Sequence, residues 1–172
     1  MRKALVTILM ILAAFVLQTT VFSYLNFGGI VPNLLILVTA STGIMRGEKD
    51  GLLTGFFCGL LVDIFFGQFL GMYSLIYMYI GYVDGKFNRI FYPENILFPI
   101  GVILGSDFAY GFICYILFFL MRTRFDIGYY SMSIIIPEVV YTAVCTIFLY
   151  PVILRINTRL DEILQRSAKK FV

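Results

Sequence analysis

Three acidic side chains, Asp63, Asp107 and Glu138, lie inside long apolar runs of this 172-residue chain. A carboxylate surrounded by hydrocarbon must be neutralised, paired or set against water, because an isolated buried charge is very costly. Three chemistries meet that demand: a proton shared among the carboxyls, a path or site for a cation, or a polar contact with a partner's helix. The structural alternative caps each carboxyl with Tyr, Ser or Asn from an adjacent helix, or lets it reach interfacial water. A catalytic set finds little support. The chain has no His, so Ser106 has no imidazole to activate it. All five lysines, Lys3, Lys49, Lys86, Lys169 and Lys170, fall in expected loops or tails. Val62-Asp63 and Gly105-Ser106-Asp107 match poorly the motifs of aspartyl proteases, whose two aspartates share a proton. Cys58, Cys114 and Cys145 stand apart in apolar runs without a CxxC pair, which points to packing rather than zinc or disulfides. The chain is therefore read as a non-enzyme with no metal, no cofactor and no nucleic-acid footprint.

The elements that must position these carboxyls are membrane helices. Hydrophobic residues make up 60% of the chain and charged residues 13%, about half of the roughly 25% found in soluble proteins. One stretch organises the rest. From Gly51 through Gly55, Gly59, Gly67 and Gly71, every fourth position is glycine except Asp63. Steps of four form a slowly drifting ridge on a helix. In lipid such a small-residue ridge lets a second backbone approach closely. The reading is a central packing helix with Asp63 set into its seam, where Gly or Ala would be expected to pack better. On that reading Asp63→Leu preserves or raises the stability of the isolated protein and weakens complex formation.

Taken in order, residues 4–21 form a first, uncleaved span ending near Tyr24, too long for a signal-peptide core. A second helix covers 32–45, with Pro32 in its first turn, and extends to 30–46 to gain length. Residues 46–50 are a charged loop. The third and fourth helices cover 51–66 and 72–83, the latter aromatic along one side at Tyr73 and Tyr77, with Tyr79 less in line. A polar loop covers 84–94, a fifth helix 95–121, a loop 122–130, and a sixth helix 131–154 carries Pro137 and Pro151. Depth follows from the helical rise. Asp63 and Asp107 lie roughly 18 Å in from one side and Glu138 about 10 Å in from the other, so all three fall in the outer half of a core about 30 Å thick. The expected fold is an all-α integral membrane protein, a compact bundle of six transmembrane helices over residues 1–154. Residues 155–172 form a basic, amphipathic cytoplasmic tail, beside anionic lipid or docked on a partner.

The whole layout resembles the family of rod-shape-determining protein MreD. Pro32-Asn33-Leu34-Leu35 opening the second helix carries the likeness, as do Gly55-Phe-Phe-Cys-Gly59-Leu-Leu-Val-Asp63, Leu70-Gly71 and Gly81-Tyr82. Asn33 departs from the acidic residue that the family often has after the proline. The resemblance implies a non-enzymatic subunit of the bacterial cell-elongation complex in the plasma (inner) membrane. It implies as partners an MreC-like bitopic protein and, through it, an MreB-like filament, a RodA-like glycosyltransferase and a class B penicillin-binding protein, besides membrane lipid. It implies no catalytic residues. A second resemblance is to the substrate-binding membrane component of energy-coupling-factor vitamin transporters, also compact six-helix bundles, which need a polar cavity near the outer face.

Orientation rests on Lys and Arg. With six spans, Arg2, Lys3, Arg46, Lys49, Lys86, Arg89, Arg155, Arg159, Arg166, Lys169 and Lys170 share one side, and only Arg122 and Arg124 lie on the other. Positive charge is retained in the cytoplasm, which puts both termini there. Reporter fusions after Lys49, Lys86 and Val172 are expected to read cytoplasmic, and one after Arg124 external. An external reading at Val172 would contradict the arrangement.

Overall fold

The computed structural model describes residues 2–26, 28–67, 69–92, 96–118 and 131–169. Among these residues the protein is all helical. Helix α1 (Arg2–Val16) continues through a π turn (Leu17–Val21) and a last short turn (Phe22–Tyr24). Helices α2 (Leu34–Arg46), α3 (Glu48–Phe66) and α4 (Met72–Lys86) follow with very short connections, and a 3-10 turn (Phe87–Ile90) closes α4. Helix α5 (Leu97–Phe118) and helix α6 (Ile136–Lys169), entered through a π turn (Ser131–Ile135), complete the set. Among the described residues three stretches are long and apolar enough to cross a membrane: Lys3–Tyr24, Leu97–Leu117 and Met132–Ile163. The expected loop at 122–130 with Arg122 and Arg124, the ends of the fifth helix at 95 and 119–121, and residues 170–172 lie outside the described residues.

The centre of the bundle is α2, not the glycine helix. Every residue from Leu34 to Ile44 is buried, polar ones included. Helix α3 instead buries one face, with Gly51, Thr54, Gly55, Cys58, Gly59, Val62 and Asp63 at helical spacing, and exposes Phe56, Phe57, Ile64, Phe65 and Phe66. Pro32 stands outside α2, because Asn33 takes the cap position and its Oδ1 accepts the Ile36 N–H at 3.2 Å. The charged loop expected at 46–50 shrinks to Gly47, whose φ of +96° suits glycine. Glu48 and Asp50 then join the first turn of α3, where acidic side chains favour the helix dipole.

Glycines bring α2, α3 and α4 together backbone to backbone. A Cβ on Gly55 would strike the Tyr77 carbonyl, and one on Gly59 would lie 2.5 Å from Ser74 Cα. A Cβ on Gly51 would strike the Gly81 carbonyl, and one on Gly43 would lie 2.9 Å from the same oxygen. Gly85 answers from α4, where a Cβ would lie 2.6 Å from the Glu48 nitrogen. Two members of the expected ridge do not belong to it. Gly67 ends α3 in an extended conformation, folded against the backbone of Asp63. Gly71 adopts φ +103° with nothing near a Cβ, and serves the turn into α4. The four-residue period outlasts the helix that gives it meaning.

At the opposite end of α2, Arg46 ties three helices. It donates to Thr7 Oγ1 of α1 at 2.6 Å and to Asn157 Oδ1 of α6, while Asn157 Nδ2 reaches Met45 Sδ at 3.1 Å. Helix α6 runs unbroken across residues 154–155, with Asn157 and Leu160 buried against the bundle and Asp161 paired to Lys3 at 3.0 Å.

Replacing Gly59 with Leu forces a branched side chain between two backbones. Overpacking costs about 1–3 kcal/mol in ordinary cores, and here the obstructing atoms are backbone that cannot rotate away. Gly59→Leu is expected to lower the melting temperature in detergent clearly, whereas Phe57→Leu, at a site 49% exposed, leaves it nearly unchanged. Equal melting of the two variants would contradict the interface.

Candidate functional site

The polar chemistry of the bundle gathers where α2 and α4 begin. A helix start leaves its first N–H groups without intrahelical partners, and both of these starts are packed against protein. At α2 the donors are taken one by one. Asn33 N–H donates to Thr142 Oγ1 at 3.0 Å, Leu34 N–H to the Pro32 carbonyl at 3.2 Å, Leu35 N–H to Gln18 Oε1 at 3.2 Å, and Ile36 N–H to Asn33 Oδ1. Tyr77 Oη also donates to Asn33 Oδ1, at 2.9 Å. Gln18 can reach because the π turn of α1 aims it inward, while Thr19 and Thr20 bond back to the carbonyls of Phe15 and Val16.

At α4 the cap comes from another helix. Asp63 Oδ1 accepts the Tyr73 N–H at 3.0 Å, and Oδ2 accepts the Ser74 N–H at 2.9 Å and the Ser74 hydroxyl at 2.5 Å. Gly71, in the cap position, has no side chain to do this. A carboxylate at a helix N-terminus is also favoured by the dipole. Asp63 is therefore bonded to α4, not joined to Asp107 and Glu138 as a shared-proton group.

Asp107 stands on α5 and Glu138 in the first turn of α6. Asp107 is 2% exposed, and among the described residues neither oxygen has a hydrogen bond of normal geometry. Glu138, Gln18, Asn33, Tyr73, Tyr77 and Tyr110 line a cavity of about 340 Å³ between the helices. The three tyrosines stack around its wall, with ring centroids of Tyr77 and Tyr110 5.1 Å apart and those of Tyr73 and Tyr110 6.4 Å apart. Tyr79, grouped with them in the sequence, is exposed instead.

Asp84, expected from the sequence to open a loop, belongs to a helix. It lies within α4, 2% exposed, with Oδ1 accepting the Ser106 hydroxyl at 2.7 Å and Oδ2 without a partner among the described residues. The fall in hydropathy at Asp84-Gly85-Lys86 hid it. The spacing of Gly81 and Gly85, one more small pair at four residues, was the available signal.

This geometry corrects the expectation for Asp63→Leu. The substitution leaves two buried N–H groups and a hydroxyl unsatisfied, each worth about 1–3 kcal/mol when stranded. Asp63→Leu is expected to melt well below the wild type in detergent, and Asp63→Asn, which keeps one acceptor, in between. A wild-type melting temperature for Asp63→Leu would contradict the cap.

Residues 1–157 match the family model described as rod shape-determining protein MreD. No curated protein and no solved structure matches the chain.

Proposed function

The chain belongs to the MreD family of rod shape-determining proteins, and from that premise we propose that it is a non-enzymatic scaffold subunit of the bacterial cell-elongation complex. It resides in the inner membrane as a six-span protein with both termini in the cytoplasm, the arrangement favoured by the eleven-to-two division of Lys and Arg. It holds an MreC-like bitopic protein and, through it, the MreB-like filament, the RodA-like glycosyltransferase and the class B penicillin-binding protein. In this way it organises lateral peptidoglycan synthesis. The observation that carries the reading is the family match across residues 1–157, nearly the full described chain. The architecture supports it: the polar side chains at the helix starts are engaged in capping, and the glycines in holding backbones together.

One observation favours the transporter-component reading, the cavity of about 340 Å³ with Gln18, Asn33 and Glu138 in its wall. That volume is at the low end of the roughly 300–1,000 Å³ typical of ligand sites. Neighbouring reading frames separate the two: shape-complex genes for the scaffold, an energising module for the transporter. Affinity purification of the tagged chain in mild detergent is expected to recover an MreC-like bitopic protein. Recovery of ATPase and coupling subunits instead would overturn the scaffold reading.

A further inference from the structure

We propose that the groove between α4 and α5 seats one transmembrane helix from another chain, packed on Gly101, Gly105 and Ala109 and hydrogen-bonded to Asp84. The inference rests on the scaffold reading, whose bitopic partner supplies such a helix. Gly101, Gly105 and Ala109 recur every four residues along α5, the small-residue spacing that allows close helix approach in lipid. Elsewhere in this bundle that spacing is filled: Gly43, Gly51, Gly55, Gly59, Gly81 and Gly85 each meet a neighbouring helix backbone. At Gly101 and Gly105 an added Cβ would meet nothing within 4 Å among the described residues. Both glycines are exposed; Gly105 and Ala109 line an apolar groove of about 380 Å³, and Gly101 lies one turn further along the same face of α5.

Asp84 marks what the groove takes. Asp84 is among the residues lining this groove, is 2% exposed, and among the described residues leaves Oδ2, enclosed behind the groove wall, without a hydrogen bond. A buried acceptor in apolar surroundings calls for a donor. A lipid chain has none to give. A second copy of this chain, paired along the same ridge, would bring Asp84 against Asp84, two acceptors joined at most by a shared proton, with no donor side chain supplied. The occupant that fits has a small-residue face for Gly101 and Gly105 and one donor side chain, such as Ser, Asn or Lys, at the depth of Asp84.

The test uses the full chain co-expressed with its MreC-like bitopic partner and purified in mild detergent. Gly105→Leu fills the seat from a position where the added Cβ meets nothing within 4 Å among the described residues. Its melting temperature alone is expected to match the wild type, while recovery of the partner falls roughly tenfold or more, as for loss of an interface anchor. Equal recovery by the wild type and Gly105→Leu would overturn the groove and leave the scaffold reading intact. No recovery by the wild type itself would overturn both. Ala109→Cys gives a second measurement that does not depend on how Gly105→Leu folds. Paired with single cysteines scanned along the partner's helix, it is expected to form disulfides at steps of three and four on one face. No such pattern would overturn the proposal.

Discussion

A helix of thirteen residues, as α2 is, spans about 20 Å, and the hydrocarbon core of a bilayer is about 30 Å thick. Its start therefore cannot rely on bulk water, and every N–H there must be met by protein. Asn33, Gln18, Thr142 and the Pro32 carbonyl meet that need. Much of the fold follows from their positions. Gln18 requires the π turn that breaks α1 near its end, Thr142 places α6 against the start of α2, and Tyr77 brings α4 up to Asn33. The other end of α2 is closed in the same manner by Arg46, which reaches α1 and α6.

Close backbone contact and buried capping depend on each other. Gly51, Gly55 and Gly59 let α3 approach α4 until Asp63, one further step along the ridge, reaches the α4 start and accepts from Tyr73 and Ser74. A larger residue in the ridge would hold the carboxylate away from those donors. The result is a three-helix unit of α2, α3 and α4 in which small residues set the distance and polar ones close the ends. Helices α1, α5 and α6 surround it and expose Leu9, Phe108, Phe112 and Phe148. The scaffold role proposed above calls for both parts, a fixed core and apolar outer faces on which other helices can pack.

What the sequence made legible was spacing and cost. The glycine period identified Gly51, Gly55 and Gly59, and the improbability of a carboxylate in a packed seam singled out Asp63. The partners were not legible, because Asp63 bonds to backbone N–H groups that every sequence contains. Period alone could not locate the end of α3, so Gly67 and Gly71 entered the ridge although one turns on its own helix and the other takes a positive φ. The burial of α2 was masked by its length, since a short apolar run with Thr39, Ser41 and Thr42 does not announce a helix enclosed on all sides. Asp84 was hidden for the opposite reason: a drop in hydropathy resembles a loop when the hydroxyl that meets the carboxyl, Ser106, stands 22 residues on in the next helix.

The account stands on helix starts being closed by protein rather than by water, and amide hydrogen exchange reads that closure residue by residue. In an open helix the first N–H groups have no intrahelical bond and exchange readily. With the protein in lipid nanodiscs, the amides of Leu35, Ile36, Tyr73 and Ser74 are expected to exchange as slowly as those in the middle of α2 and α4. Exchange of these four at the rate of free helix ends, with the helix centres still protected, would contradict the account.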